Sequence, residues 1–255
     1  MQYIISASTD VGIKKSTNQD SLSVLKMNSS IGELVFAILC DGMGGLKKGE
    51  VASASVIKAF DSWVKDKLGS LLAHGFNSDD IYTQWDDIIR TQNNKIMSFG
   101  RNLGVSVGTT IVAALFVGNQ YYAVNVGDSR AYEIKAEVRQ LTHDHTVVAR
   151  EIELGMLTKE EAESDPRRNV LLQCIGASDE VQPEFYSGSI EKNAVYMICS
   201  DGFIHEITED EIYDVLQPDK MNDSEGMKTN VDSLIERDKN RKEKDNISVI
   251  TIRTF

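Results

Sequence analysis

Only three cysteines, three prolines and four histidines occur in 255 residues. Cys40, Cys174 and Cys199 are odd in number and far apart, and two lie inside apolar runs. They read as small core hydrophobes in a reducing compartment, not as a disulfide framework. There is no Cys-x-x-Cys, no His-Glu-x-x-His and no cluster of histidine with cysteine, which argues against zinc. No Gly-x-Ser-x-Gly elbow is present. Gly44-Gly45-Leu46-Lys47-Lys48-Gly49-Glu50 has the glycine spacing of a P-loop, but Glu50 stands where the lysine belongs. Positive charge is scarce: 27 Lys and Arg against 39 Asp and Glu leave a net charge of −12. That speaks against nucleic acid or an anionic membrane as the main partner. No stretch approaches the roughly 20 apolar residues that span a bilayer. Met1–Ala7 has no basic region and no long apolar segment, so we expect no signal peptide and a cytoplasmic protein.

What is present is an ordinary globular composition, 41% hydrophobic and 26% charged, sufficient for one domain over 1–255. Strand patterns cover 2–8 and 20–27, separated by a polar loop, and then the apolar run Leu34–Cys40. A helix is predicted over 50–68, broken from Gly69 to Asn77, and a second over 79–99, capped around Ser78. Trp63 and Trp85 fall on their apolar stripes and are expected in the core. Residues 109–117 and 120–126 read as a hairpin about Gly118-Asn119, and 131–141 as a shorter one. Residues 143–180 form a polar excursion with two short helical patterns, and strand character returns over 194–199. Helices over 208–216 and 223–238, a solvated charge run at Arg237–Lys244 and a strand over 247–252 complete the chain. This pattern implies an α+β fold, a four-layer sandwich in which helix pairs cover two stacked antiparallel sheets.

One feature recurs. The run Leu34–Cys40 stops at Asp41 and the glycines Gly42, Gly44 and Gly45. Asp128 and Asp201 likewise follow apolar runs and adjoin a glycine, Asp245 precedes the last strand and Asp20 opens an early one. Isolated buried carboxylates are too costly, so acids gathered at strand ends need cations. Carboxylates, a carbonyl and water suit hard ions such as Mg²⁺ or Mn²⁺. Two ions sharing a carboxylate would lower the pKa of a bridging water and clamp a phosphoryl group for in-line attack. His143-Asp144-His145, in a loop, is expected to be structural.

These residues stand in a series of short motifs. Thr9-Asp10-x-Gly12 and Asn18-Gln19-Asp20 come first, then Asp41-Gly42-Met43-Gly44-Gly45 with Gly49-Glu50 and Ala52-Ser53. Gly108-Thr109-Thr110, Val126-Gly127-Asp128-Ser129-Arg130-Ala131-Tyr132 and Leu141-Thr142-x-Asp144-His145 follow, and the series ends in Ser200-Asp201-Gly202 and Asp245-Asn246-Ile247-Ser248-Val249. In content and order, along nearly the whole chain, the set resembles the metal-dependent type 2C serine/threonine protein phosphatases in their compact bacterial form.

The resemblance implies hydrolysis of phosphoserine and phosphothreonine in proteins with two Mg²⁺ or Mn²⁺ ions, and compactness without a transmembrane span suggests a soluble monomer working opposite a cognate kinase. It implies that Asp41 bridges both ions, that the Gly42 carbonyl binds one, and that Asp201 and Asp245 complete the shell of the other. Asp128 matches a residue that helps hold a third, weaker ion, and Asp20 would hold water around the metals. Residues 146–172 correspond to a flap that touches substrate. Three positions depart from the family. Lys15 replaces the arginine that binds substrate phosphate, keeping the charge but losing the bidentate fork. Gln19 stands where some members have glutamate. Met43 stands where animal members have a histidine proposed as general acid, so the proton for the leaving group must come from elsewhere. Arg130, Arg167 and Arg168 are expected in ion-pair duty before phosphopeptide contact. Alternatives are a catalytically impaired phosphoprotein-binding module and a two-metal phosphoesterase for small phosphates.

Overall fold

The structure, a computed structural model, describes residues 1–44 and 48–255; Gly45, Leu46 and Lys47 of the glycine-rich stretch lie outside the described residues. In chain order the first strands are β1 (Tyr3–Asp10), β2 (Ser21–Ser29), β3 (Gly32–Cys40) and the short β4 (Gly42–Gly44). Helices α1 (Gly49–Trp63), α2 (Gly69–His74) and α3 (Ser78–Leu103) follow. Next come β5 (Val107–Thr109), β6 (Ile111–Val117), β7 (Gln120–Val126), β8 (Arg130–Ile134) and β9 (Val138–Gln140), then α4 (Val147–Glu153) and α5 (Lys159–Ser164). The remainder is β10 (Glu184–Ser189), β11 (Val195–Cys199), α6 (Glu209–Leu216), α7 (Ser224–Asn240) and β12 (Ile247–Thr254).

Two five-stranded antiparallel sheets result, ordered β1-β12-β11-β8-β9 and β10-β7-β6-β3-β2, with β4 and β5 pairing separately. The apolar run of β3 is continuous because both of its faces are covered. Phe36, Ile38 and Cys40 point toward Phe60, Trp63 and Trp85 of α1 and α3. Val35, Ala37 and Leu39 point the other way, into a layer shared with Tyr196, Ile198, Ile250 and Ile252 of the facing sheet. The outer face of that second sheet packs Met197, Cys199 and Val249 against Leu216, Val231 and Leu234 of α6 and α7. Three apolar layers between four structural ones give the expected α+β sandwich. The three cysteines are free and buried, and Trp63 and Trp85 meet edge-on at 5.6 Å inside the core.

Four local expectations need correction. Gly69 does not end the first helix. A π-helical turn over Val64–Leu68 carries it on into α2, with Gly69 in ordinary helical geometry, and the stop falls at Gly75 with φ 75°. The cap of α3 is Asn77, one residue before Ser78, in a reciprocal box with Asp80. The strand expected from Thr109 is divided, since β5 leaves to pair with β4 before β6 begins. Strand β10 has no apolar run because it is an edge strand on β7, half-exposed, and so carried no hydrophobic signal.

Candidate functional site

The strand ends deliver the expected acids to one place. Asp41 follows β3, Asp128 follows β7, Asp201 opens a single 3₁₀ turn after β11, Asp20 precedes β2 and Asp245 precedes β12. The carboxyl of Asp41 is pushed well up by burial and by the charges of Asp20, Asp201, Asp128 and Asp245, so all five share one electrostatic environment. Burial, with Asp201 and Asp144 adding, pushes Asp128 well up too. Asp20 is pushed up to about 7 by burial and by Asp201 and Asp245, although the nearby Ser248 and Ser200 hydroxyls oppose this.

The main chain around the acids is tightly fixed. Asp41 N donates to Thr110 Oγ1 at 2.9 Å, while its carbonyl accepts from Thr109 Oγ1 and Thr110 N, both at 2.9 Å. Thr110 Oγ1 in turn meets Ser129 Oγ at 2.7 Å. Gly42 N donates to Gln19 O at 3.2 Å. A Cβ on Gly42 would stand 2.3 Å from Gly49 O, so β4 and the start of α1 approach as only glycine allows. Asn246 staples the loop after β1, accepting from Gln19 N at 2.9 Å and donating to Val11 O at 3.0 Å.

Whether a hard cation fits is decided by buried oxygens to which the protein makes no well-formed hydrogen bond, although the Ser248 and Ser200 hydroxyls stand near Asp20. Both carboxyl oxygens of Asp20 and Oδ1 of Asp201 are buried without a hydrogen-bond partner. Orphaned buried acceptors of this kind call for an ion or ordered water. The donors are all oxygen, as Mg²⁺ and Mn²⁺ require. Among the described residues no group of three His, Cys, Asp or Glu side chains forms a ready metal cage. An open arrangement is compatible with an ion that takes one or two carboxylates and keeps several waters. The residues therefore fit Mg²⁺ or Mn²⁺.

Lys15 is found on Asp245, its Nζ 2.8 Å from Oδ1. Burial works to lower its pKa, but the hydrogen bond and charge of Asp245, with Asp41 and Asp201, raise it overall. Asp144 lies outside the cluster in a fork with Arg130, whose Nη2 is 2.6 Å away. His145 is also structural. Its Nδ1 accepts from Gly127 N and faces the Gln173 amide, leaving the proton on Nε2. Arg167 pairs with Glu151 and Asp165, and Arg168 donates to Glu163 O, so all three arginines have structural partners.

Two site residues escaped the sequence reading. His205 Nε2 lies 3.3 Å from Asp201 Oδ2 and its Nδ1 lies 3.2 Å from Glu243 Oε2. Burial alone would lower its pKa, but Glu243 and Asp201 push it up to about 9. Glu243 and Asp238 belong to the stretch expected to be a solvated charge run, which needs correction. Glu243 is 6% exposed and Asp238 0%. Asp238 is pushed up to about 8 by burial and Glu243. Nothing in local composition separates these two acids from their exposed neighbours.

The protein phosphatase 2C family profile matches residues 12–236. Protein phosphatase PhpP of Streptococcus pneumoniae is 32% identical over 218 residues, covering 84% of this chain and 85% of the relative. A serine/threonine phosphatase structure from S. agalactiae superposes with a TM-score of 0.82 at 31% identity, covering 100% of each chain. A PstP catalytic domain in complex with two manganese ions superposes at 0.78 with 27% identity, covering 99% of each chain. Motif order, a doubly covered pair of sheets and acids at the strand ends thus agree with both kinds of likeness, and the chain belongs to the protein phosphatase 2C family.

Proposed function

We infer that this protein is a metal-dependent serine/threonine protein phosphatase, acting on phosphoserine and phosphothreonine in partner proteins. The observation that carries the reading is the set of buried, unsatisfied carboxylate oxygens on Asp20 and Asp201 amid the five-acid cluster. Asp41 and the Gly42 carbonyl are assigned to metal binding, Asp41 being shared between two ions, with Asp201 and Asp245 completing the shell of one. Asp128 is assigned to a third, weaker ion, and Asp20 to holding water around the metals. Mg²⁺ or Mn²⁺ bound there supplies Lewis acidity, polarising the phosphoryl oxygens and lowering the pKa of water.

The protein's own part is positioning. The Thr109 and Thr110 hydrogen bonds fix the turn that presents Asp41, and Asn246 fixes the loop that carries Lys15 and Asp20. Lys15, at the rim on Asp245, carries the positive charge that meets substrate phosphate. Met43 has no titratable group, so it cannot protonate the leaving serine or threonine oxygen. We assign residues 1–255 to one phosphatase domain with 146–172 as a flap beside the site. The helices α4 and α5 and the Arg167 ion pairs give that flap internal structure. Among the described residues no helix is long and apolar enough to cross a membrane. A cytoplasmic monomer opposing a kinase is the setting we propose.

Turnover of a phosphothreonine peptide with added Mn²⁺ tests the reading. Activity should vanish with excess chelator and fall by several orders of magnitude in Asp201→Asn. Undiminished activity in EDTA overturns it.

A further inference from the structure

We propose that His205 and Glu243 form a strap that sets Asp201 and Asp245 relative to each other, so that the pair meets a metal ion as a prearranged unit. The inference rests on the assignment of these two aspartates to one ion. They arrive from different elements, Asp201 from the turn after β11 and Asp245 from the connection between α7 and β12. Glu243 gives one oxygen to each side. Its Oε2 lies 3.2 Å from His205 Nδ1, and His205 Nε2 lies 3.3 Å from Asp201 Oδ2. Its Oε1 accepts from the backbone N–H of Lys244 at 2.5 Å and of Asp245 at 2.7 Å. One buried carboxylate therefore holds both the ring that holds Asp201 and the main chain that carries Asp245.

The chemistry of the contacts fixes their sense. A carboxylate only accepts, so His205 Nδ1 donates to Glu243 Oε2, while Nε2 faces Asp201 Oδ2 as a close polar contact. With Oδ2 turned to the ring, Asp201 keeps Oδ1, buried and without a partner, for the cation. Glu243 is itself anchored, its N–H donating to Asp238 O at 3.1 Å at the end of α7. The two segments are also pressed together. A Cβ on Gly202 would stand 2.2 Å from Asn246 O, so the two segments meet backbone to backbone. His205 and Glu243 are positioning residues, since each acts on the ion through an aspartate. Outer-shell partners of this kind are worth about 10–100-fold in metal affinity.

Calorimetric titration of the metal-free full chain with Mn²⁺, paired with metal-free thermal unfolding, tests the strap. His205→Ala and Glu243→Gln should each weaken Mn²⁺ binding by about 10–100-fold. The double variant should bind no worse than the weaker single one, because the two residues act in series. If His205→Ala does not fold, His205→Gln keeps most of the volume and one donor and gives the same readout. A lower melting temperature with unchanged Mn²⁺ affinity in both variants overturns the strap, provided Asp201→Asn has lost binding, and the ligand assignment then stands. Wild-type affinity in Asp201→Asn overturns the ligand assignment and the strap with it.

Discussion

Lys15 occupies the position that the family resemblance assigns to phosphate binding, yet its ammonium lies 2.8 Å from Asp245 Oδ1 with its side chain 39% exposed. A cation resting on a carboxylate competes with any other cation for it. Lys15→Ala should tighten Mn²⁺ binding by up to about fivefold, matching an exposed ion pair worth up to about 1 kcal/mol. It should also raise KM for a phosphopeptide, and calorimetry with steady-state kinetics checks both. Asp238 gives a pH signature. Burial, Glu243 and Glu206 raise its pKa from 3.8 to about 8, against the opposing charges of His205 and Arg241. Between those values the folded state holds a proton that the unfolded state has released, so stability falls as pH rises toward 8. Asp238→Asn removes that slope. Its melting temperature should match wild type near pH 4 and exceed it by several degrees near pH 9. The five aspartates were readable in the sequence because each ends or begins a strand beside a glycine or an apolar run. His205 and Glu243 were not, because their meaning lies in a contact 38 residues apart in sequence.

At the scale of elements, β3 illustrates what periodicity reveals and what it hides. A run apolar at every position announces a strand covered on both faces. Phe36, wholly buried, stacks with Phe60 and meets Trp63 and Trp85 at 6.1 Å. Phe36→Ala should therefore cost about 3–5 kcal/mol in denaturant unfolding. Edge strands leave a weaker trace. Strand β10 has no fully buried residue and leaves no apolar signal, while the longer apolar strands and the main helices packed on them are legible. Gly69 misled for a different reason: a glycine inside a helix costs only about 1 kcal/mol, which the buried Leu68 beside it offsets. Gly202 is a stricter case. Gly202→Ala drives a methyl group into Asn246 O and separates the two ligand-bearing segments. We expect a loss of about 2–3 kcal/mol in stability, together with weaker Mn²⁺ binding in the same titration.

For the molecule as a whole, the acid cluster makes the metal a structural partner as well as a chemical one. An ion that binds only the folded state at a hundred times its Kd adds about 2.7 kcal/mol. In a chain of this size that amounts to about 5–10 °C in Tm, and EDTA should reverse it in differential scanning calorimetry. The net charge of −12 adds a long-range attraction for cations, so Mn²⁺ affinity should decline with ionic strength. The pairing of β1 with β12 along its whole length, from Tyr3 with Thr254 to Asp10 with Ile247, bears on when the site comes into being. Strand β1 pairs with β12 alone and so has no partner until β12 has been made, and the loop carrying Lys15 and Asp20 is pinned by Asn246 just before that strand. During synthesis the nascent chain thus holds four of its five acids beside strands already made, but has no completed seat for an ion. A chain stopped short of Asn246 lacks the residue that pins the loop of Lys15 and Asp20, and we expect it to hold no ordered seat for the ion.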